Sequence, residues 1–319
     1  MKPKVVVYRK VYDEVLERLA EACEVVYRPQ PREADGSALY EALGEAQGLL
    51  GSGLRIDEAL LERSPQLRAV ANFSAGYENL DLEALQRRGV TATNTPGVLN
   101  DTVADCVMAL MLAAGRRVSE LDRAMRAGQW TTSIDEEWFG VDVHHRTLGI
   151  IGMGEIGQAV AKRARLGFDM RIVYHNRSRN ETAEQRYEAQ WLSLEALLEQ
   201  SDYVCMLTPL TPQTERMIGA AELACMKPTG IFLNASRGRT VDEAALIEAL
   251  RERRILAAGL DVFEQEPLPA DSPLLQLDNV VCVPHIGSAT HETRLAMQLL
   301  SVRNLLDALR GETPPNRLV

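Results

Sequence analysis

The sequence predicts an α/β protein built from two doubly wound parallel sheets, with the second sheet inserted into the chain of the first. Short apolar segments alternate with segments of helical period through residues 4–94, and a fresh alternation begins further along the chain. Such alternation is typical of parallel strands connected by helices. A last helical segment, about residues 292–309, is not followed by another predicted strand, so it is expected to pack back onto the first domain. We therefore expect one discontinuous domain, residues 1–99 and 290–319, and a second domain, residues 100–289.

The elements of the first domain follow one another at short intervals. The breaker Thr95-Pro96-Gly97 ends the alternation, and the almost wholly apolar segment 101–114 then predicts a long buried helix that leads into the second domain. Strands are predicted at 4–8, 23–27, 48–51, 67–73 and 90–94, and helices at 11–22, up to Ala46, at 57–63 and at 80–88, with a polar loop around 29–37.

The second domain is predicted to hold a six-stranded sheet. Segment 119–146 fits neither sheet and carries Trp130, Trp138 and Phe139 among polar residues. It is interpreted either as an arm against a partner subunit, which would make the protein a homodimer, or as a surface loop with buried aromatic anchors. Strands are predicted to begin at Thr147 and to span 170–174, 203–207, 230–234, 257–261 and 280–283, and helices to end at Gly167 and to span 194–199 and 243–251.

An apolar run leads directly into the glycine pattern GxGxxG within residues 147–157. Gly152 permits the tight turn, Gly154 lets the backbone approach a pyrophosphate, and Gly157 lets the following helix pack against the strand. The N–H groups at the start of that helix then face the phosphate oxygens. We expect a dinucleotide to bind at the turn formed by Gly152, Met153, Gly154, Glu155, Ile156 and Gly157.

The residues after the next strand indicate which dinucleotide binds. An enzyme that uses NAD normally carries a carboxylate about 20 residues downstream, where it binds the ribose hydroxyls. Here Asn176 stands in its place. Arg177, Ser178 and Arg179 follow, and they offer the charge and the donors that a 2′-phosphate needs. The predicted cofactor is NADP(H), and the alternative is a solvated basic loop after an ordinary strand.

Composition and charge exclude several classes of partner. The 319 residues are 46% hydrophobic and 25% charged, which is enough apolar material for two cores. A net charge of −10 argues against nucleic acid and against an anionic membrane surface. No segment approaches the roughly 20 apolar residues of a membrane span, and the amino terminus lacks a core of signal-peptide length. We expect a cytoplasmic protein.

The cysteines and histidines do not predict a metal site. The five cysteines are widely scattered and lie mostly inside apolar runs, without the spacing of zinc ligands. His144 and His145 are adjacent, so their side chains diverge on a strand or on a helix. The cysteines are interpreted as small core residues in a reducing compartment.

Three residues that can carry chemistry each follow a predicted strand. They are Arg237, Glu266 and His285. The carboxyl ends of parallel strands meet at one edge of the sheet, so these side chains are expected to lie close together. Arginine binds a carboxylate bidentately, histidine donates a proton near neutral pH, and a carboxylate beside it stabilises the imidazolium. From the residues alone, a salt bridge, a solvated turn and a core histidine remain equally good interpretations.

At these residues the chain resembles the D-isomer-specific 2-hydroxyacid dehydrogenase family, over essentially its whole length. The three signatures of the family occur in order, as residues 148–157, then 226–238, then 259–267 with 284–290. The resemblance implies two Rossmann-like domains, with the NADP-binding domain inserted into a flavodoxin-like substrate-binding domain. It implies reduction of a small 2-keto acid to a D-2-hydroxy acid by NADPH.

The resemblance also implies a role for each residue of the site. Arg237 would bind the substrate carboxylate and the C2 oxygen, His285 would protonate that oxygen, and Glu266 would keep His285 protonated and aligned. The loop of Ser74, Ala75 and Gly76 would donate backbone N–H groups to the carboxylate. The further positions implied are Leu54 with Arg55 at the distal end of the substrate, Trp138 from a partner subunit, Asp261 and Thr102 near the nicotinamide, Thr208 and Pro209 on the adenine side, and Ala235 at the cofactor.

Segments 142–145 and 288–294 resemble a bacterial branch of the family that reduces glyoxylate, hydroxypyruvate and 2-ketogluconate with NADPH. Two other functions stay open on the sequence. A phosphite dehydrogenase shares the fold and the three catalytic residues, and some corepressors of the family retain those residues as dinucleotide-sensing scaffolds. The chain has no low-complexity segments for recruiting partners, which disfavours the scaffold.

Overall fold

A computed structural model of the protein describes residues 2–29 and 37–319. The chain divides into two compact units, Met1–Leu99 with Thr290–Val319, and Asn100–Ala289. Both units are α/β and all of their paired strands run parallel, which confirms the predicted fold class. The interior of the loop predicted around residues 29–37 lies outside the described residues.

The first unit contains a five-stranded sheet of order β2-β1-β3-β4-β5. The strands β1, β3, β4 and β5 are almost wholly buried, as is usual for a parallel sheet, whereas the edge strand β2 has no buried residue. The carboxyl-terminal helix α12 (His291–Arg310) belongs to this unit and packs against β3, β4 and β5. The other elements are β1 Lys4–Val7, α1 Asp13–Ala22, β2 Glu24–Tyr27, α2 Ser37–Leu43, β3 Gly48–Gly51, α3 Glu58–Glu62, β4 Ala69–Asn72, α4 Leu82–Arg87 and β5 Thr91–Thr93.

The second unit contains a seven-stranded sheet of order β12-β11-β10-β9-β6-β7-β8. The strand order reverses at the adjacent strands β6 and β9, and doubly wound folds bind ligands at such a switch point. The elements are α5 Asn100–Gly115, α6 Val118–Arg126, β6 Thr147–Ile151, α7 Glu155–Phe168, β7 Arg171–His175, α8 Glu181–Tyr187, β8 Gln190–Trp191, α9 Leu194–Gln200, β9 Tyr203–Met206, α10 Ala220–Ala224, β10 Ile231–Asn234, α11 Glu243–Arg251, β11 Ala257–Leu260 and β12 Val280–Cys282, with 3₁₀ turns at Glu136–Trp138, Gly238–Thr240 and Pro273–Gln276.

The prediction of six strands in this sheet was wrong. The additional strand, β8, has two residues and lies at the edge of the sheet beside β7. A strand of two residues is too short to show the alternation of apolar and polar residues by which a strand is predicted. The helix α8 was also absent from the prediction, because Ala183 is its only buried residue and no apolar period marks it.

Segment 119–146 exposes much of its apolar surface. No residue of α6 is buried, and Trp130 and Phe139 are each 56% exposed. The interpretation of these two aromatic residues as buried anchors was therefore wrong, whereas Trp138 is half-buried. Within the described parts of the chain, no helix combines the length and the apolar content that crossing a bilayer requires.

Candidate active site

The glycine turn lies between β6 and α7. Gly152 has a φ of +104°, and a Cβ there would lie 2.8 Å from the backbone of Leu207 and Thr208. Only glycine fits that conformation and that approach. A Cβ at Gly154 would meet nothing within 4 Å, and α7 begins directly after it without a side-chain cap. The amino end of this 14-residue helix therefore presents backbone donors beside an open surface, which suits a pyrophosphate.

Two asparagine side chains form hydrogen bonds with the backbone of this turn. Met153 donates its N–H to Asn176 Oδ1 at 2.7 Å, and Asn180 Nδ2 donates to the Met153 carbonyl at 2.8 Å. The side chain of Asn176, predicted at the ribose position, thus contacts the backbone of the glycine turn. Asn180 also caps α8, accepting from the Ala183 N–H at 3.0 Å.

The two arginines of the predicted phosphate site differ in their contacts. Arg179 donates to both carboxylate oxygens of Glu184, at 2.9 and 2.6 Å. Tyr174 fixes the same carboxylate, donating its hydroxyl to it at 2.6 Å. Arg177 and Ser178 are exposed, and neither has a hydrogen bond or an ion pair with any residue that the structure describes. The structure therefore leaves Arg177 available to an anion and ties Arg179 to a carboxylate.

Arg237, Glu266 and His285 lie just past the carboxyl ends of β10, β11 and β12. The segments after β10 and β11 touch at Gly238, where a Cβ would lie 1.8 Å from the Phe263 carbonyl carbon. That contact brings Arg237 close enough for its charge to act on Glu266. The structure thus brings the predicted catalytic set together in one unit.

His285 and Glu266 form a hydrogen-bonded pair. The distance from His285 Nδ1 to Glu266 Oε2 is 2.7 Å, and the two side chains are 46% and 26% exposed. Partial burial alone would raise the pKa of Glu266, but the hydrogen bond and charge of His285, the Phe263 N–H and the charge of Arg237 lower it below its usual value. His285 is therefore not a core histidine, and Glu266 is not merely part of a solvated turn.

Asp261 holds the backbone that carries His285. It is 2% exposed, and its two oxygens accept from the N–H groups of Ile286 at 2.6 Å and Gly287 at 2.9 Å. Burial raises the pKa of the Asp261 carboxyl, and the two N–H donors oppose that rise. His285 itself has a φ of +53°, an uncommon conformation for this residue type, and strained backbone of this kind clusters at functional sites.

The other predicted cofactor residues also belong to the second unit. Thr102 lies in the first turn of α5, and Glu155, the first residue of α7, accepts from Asn100 Nδ2 at 2.9 Å. Thr208 and Pro209 follow β9 beside Gly152, and the Ala235 N–H donates to the Met206 carbonyl at 3.4 Å.

The predicted substrate loop belongs to the first unit. Ser74, Ala75 and Gly76 follow β4 and are half-buried. Leu54 packs against the core of that unit, and Arg55 is exposed and pairs with Asp57 at 3.2 Å. Trp138, in the second unit, ends a 3₁₀ turn. Within the described residues, no group of three histidine, cysteine or acidic side chains is arranged to hold a metal.

Comparison with known proteins identifies the family. Residues 108–287 match the NAD-binding domain of D-isomer specific 2-hydroxyacid dehydrogenases. The chain belongs to this family. It is 51% identical over 318 residues, covering 99% of this chain and 98% of the other, to glyoxylate/hydroxypyruvate reductase B of Shigella boydii serotype 4 (strain Sb227). Being a member of the 2-hydroxyacid dehydrogenases, the protein is an oxidoreductase with a Rossmann-type NAD-binding domain.

Solved structures show the same relationship. A protein from Thermus thermophilus is 43% identical, with a TM-score of 0.92 over 99% of this chain and 100% of that chain. The NADPH-dependent glyoxylate/hydroxypyruvate reductase of Sinorhizobium meliloti, in complex with NADP and malonate, is 33% identical, with a TM-score of 0.89 over 100% of this chain and 97% of that chain.

Sequence reasoning did not identify the residues that hydrogen-bond to the predicted cofactor-binding segment and to the loop after β4. Asn180 bonds to the glycine turn and Glu184 to the Arg179 side chain, and Asn72 and Asn94 bond to the loop after β4. For Asn72 and Asn94 the available signal was an asparagine at or just past the end of a strand and close to a turn, because asparagine readily bonds to nearby backbone.

Proposed function

We propose that this protein uses NADPH to reduce small 2-keto acids, glyoxylate and hydroxypyruvate among them, to D-2-hydroxy acids. The observation that carries the proposal is the His285–Glu266 pair, at 2.7 Å and beside the charge of Arg237, in a chain half identical to a glyoxylate/hydroxypyruvate reductase. We extend the substrate range to 2-ketogluconate because of the branch resemblance in segments 142–145 and 288–294.

The chain's own residues account for the proton and for the substrate charge. Bound NADPH supplies the hydride that becomes the new C–H bond at C2. His285 donates its Nε2 proton to the C2 oxygen as the carbonyl π bond breaks, and it regains a proton from solvent. Glu266 holds Nδ1, so the imidazolium is stabilised and Nε2 is the nitrogen left to donate. Arg237 binds the carboxylate and polarises the C2 oxygen.

The preference for NADPH is proposed from Arg177 and Ser178. Both are exposed next to the glycine turn and neither has a partner among the described residues, so they can bind a 2′-phosphate without breaking an existing contact. The Sinorhizobium relative, described as NADPH-dependent and solved with NADP, supports this choice. We further propose a cytoplasmic location, where the five free thiols would stay reduced.

We also propose a homodimer that covers the exposed side chains of segment 119–146, with Trp138 contributed to the partner's substrate site. Trp130, Phe139 and, on helix α6, Met125 are exposed apolar side chains that such an interface would cover. Light scattering at micromolar concentration should report about twice the 35.3 kDa chain mass. A fully active monomer would contradict both proposals.

A substrate panel tests the function. We would measure kcat/KM with NADPH for glyoxylate, hydroxypyruvate, pyruvate and 2-ketogluconate, and NADP⁺ reduction with phosphite. The proposal expects the highest values for glyoxylate and hydroxypyruvate. Turnover with phosphite alone would establish the alternative dehydrogenase. Tight NADPH binding without any turnover would instead favour a dinucleotide-sensing scaffold.

A further inference from the structure

The loop after β4 is held from behind at three consecutive carbonyl groups. Each carbonyl accepts one hydrogen bond, and two of the three donors are buried asparagine side chains. The bonds run from the Thr95 N–H to the Ser74 carbonyl at 3.0 Å, from Asn94 Nδ2 to the Ala75 carbonyl at 2.8 Å, and from Asn72 Nδ2 to the Gly76 carbonyl at 2.8 Å.

These bonds fix the direction of the next N–H groups along the chain. In a planar trans peptide, the carbonyl of one residue and the N–H of the following residue point in opposite directions. The bond from Asn94 to the Ala75 carbonyl therefore orients the Gly76 N–H, and the bond to the Ser74 carbonyl orients the Ala75 N–H. Neither N–H has an acceptor among residues 2–29 and 37–319. The two carbonyls accept from adjacent residues, Thr95 and Asn94, so both N–H groups are directed away from that segment, and neighbouring backbone donors of this kind can bind an anion.

Asn94 is itself held by the carboxyl-terminal helix. Asn304, a fully buried residue of α12, donates its Nδ2 to the Asn94 carbonyl at 3.1 Å. The same Nδ2 lies 3.3 Å from Asn316 Oδ1, and the Asn94 N–H donates to the Asn316 carbonyl at 3.4 Å. A chain of contacts thus runs from α12 through Asn94 to the Ala75 carbonyl.

The side-chain oxygens of Asn72 and Asn304 indicate why asparagine occupies these positions. Asn72 Oδ1 and Asn304 Oδ1 are buried and have no hydrogen-bond partner within the described residues. A buried polar atom without a partner is destabilising. Asparagine at these two positions is therefore explained by the backbone carbonyls to which its NH₂ group donates, because its oxygen makes no hydrogen bond that would stabilise the core.

We propose that Asn94, held in place by Asn304, is a positioning residue that aims the Gly76 N–H at the substrate carboxylate, with Asn72 fixing the next peptide in the same way. This inference rests on the proposed function, which gives the loop its 2-keto acid ligand. Neither asparagine touches the substrate. Their effect is expected on carboxylate binding and not on the transfer of hydride or proton.

The test compares two variants of this chain of contacts with a matched control. The variants are Asn94→Ala and Asn304→Ala, and the control is Asn279→Ala. Asn279 is a buried residue of the second unit whose Nδ2 also bonds to backbone carbonyls, those of Leu250 and Leu256. For each protein we would measure kcat, the KM values for glyoxylate and NADPH, the melting temperature, and the inhibition constant of oxalate, a carboxylate that cannot accept a hydride in this reaction.

We expect Asn94→Ala to raise the glyoxylate KM and the oxalate inhibition constant together, roughly 5- to 50-fold, because a misaligned N–H loses a bond to a charged oxygen. Asn304→Ala should raise both roughly 2- to 10-fold, and it keeps the test open if Asn94→Ala does not fold. The NADPH KM and kcat should change little. Asn279→Ala should lower the melting temperature without moving either carboxylate constant.

The outcomes separate the inference from the function it rests on. An active wild type whose Asn94 and Asn304 variants keep both carboxylate constants would overturn the inference alone. A wild type that reduces no keto acid would overturn the proposed function, and oxalate binding by calorimetry would then decide the inference by the same comparison. Equal losses in the Asn279 control would also overturn the inference, because a general loss of stability would then explain the effect.

Discussion

The two units of this 2-hydroxyacid dehydrogenase hold their proposed functional groups by different means. The second unit presents charged side chains at strand ends, with His285 and Glu266 bonded to each other and the charge of Arg237 acting on Glu266. The first unit presents backbone N–H groups of Ala75 and Gly76, and buried amides hold the peptides in place. Charged side chains can move protons, whereas oriented backbone donors can only bind. Loss of the His285–Glu266 pair in the second unit is therefore expected to slow the chemical step, whereas a change in the loop after β4 of the first unit is expected to weaken binding of the substrate carboxylate.

The largest expected effect comes from removing the proton donor of the second unit. His285→Ala should lower kcat roughly 100- to 10,000-fold, because general acid catalysis contributes about that much. The Kd for NADPH, measured by fluorescence titration, should stay near the wild-type value. A variant that keeps its kcat would mean that another group donates the proton. The proposed difference in role between the His285–Glu266 pair of the second unit and the loop after β4 of the first unit would then be wrong.

A smaller effect is expected at the arginines of the cofactor side. Arg177→Ala should lower kcat/KM for NADPH roughly 10- to 150-fold through the loss of charge-assisted bonds, and should leave the value for NADH almost unchanged. Arg179→Ala is the matched control, because Glu184 already holds that guanidinium at two atoms. Equal losses from the two substitutions would mean that the Arg179–Glu184 pair opens to bind the cofactor.

The smallest effect is expected from loosening the ion pair between Arg179 and Glu184. Glu184→Gln removes the charge that holds Arg179, so Arg179 gains freedom to reach a phosphate. Exposed ion pairs contribute little free energy, so we expect the NADPH KM to fall by at most roughly 5-fold. The NADH KM is the internal reference. An equal change in both KM values would show that Glu184 supports the fold of the loop rather than limiting phosphate binding.

The groups that sequence reasoning placed correctly are those that lie at the ends of strands. The alternation of apolar segments predicted both parallel sheets, and strand ends converge by geometry, so Arg237, Glu266 and His285 could be grouped from the sequence alone. Gly152 followed from the same logic. These features depend on local pattern and on the topology of a parallel sheet.

What could not be predicted depends on contacts between distant parts of the chain. Asn94 and Asn304 are 210 residues apart, and nothing in either local sequence marks their contact. The edge strand β8 is too short to carry a period, and the bond between Arg179 and Glu184 forms across the start of a helix without apolar periodicity. Two arginines that look equivalent in the sequence differ in the fold because only one of them meets a carboxylate.

The coupling of Glu266 to His285 is the central claim, and the pH dependence of kcat/KM for glyoxylate in Glu266→Gln tests it most directly. Pairing with His285 lowers the pKa of Glu266, so the wild-type pair should persist as pH falls until Glu266 protonates below its usual range. Reduction should therefore fall on the acid side only as Glu266 takes up a proton and its charge no longer pairs with His285.

Glutamine cannot ionise and supplies no negative charge to the imidazolium. We therefore expect Glu266→Gln to have a lower kcat/KM and to lose the acid limb of the profile, because that limb comes from protonation of Glu266. A variant profile that keeps the acid limb of the wild type would contradict the coupling, even if both residues proved necessary for activity.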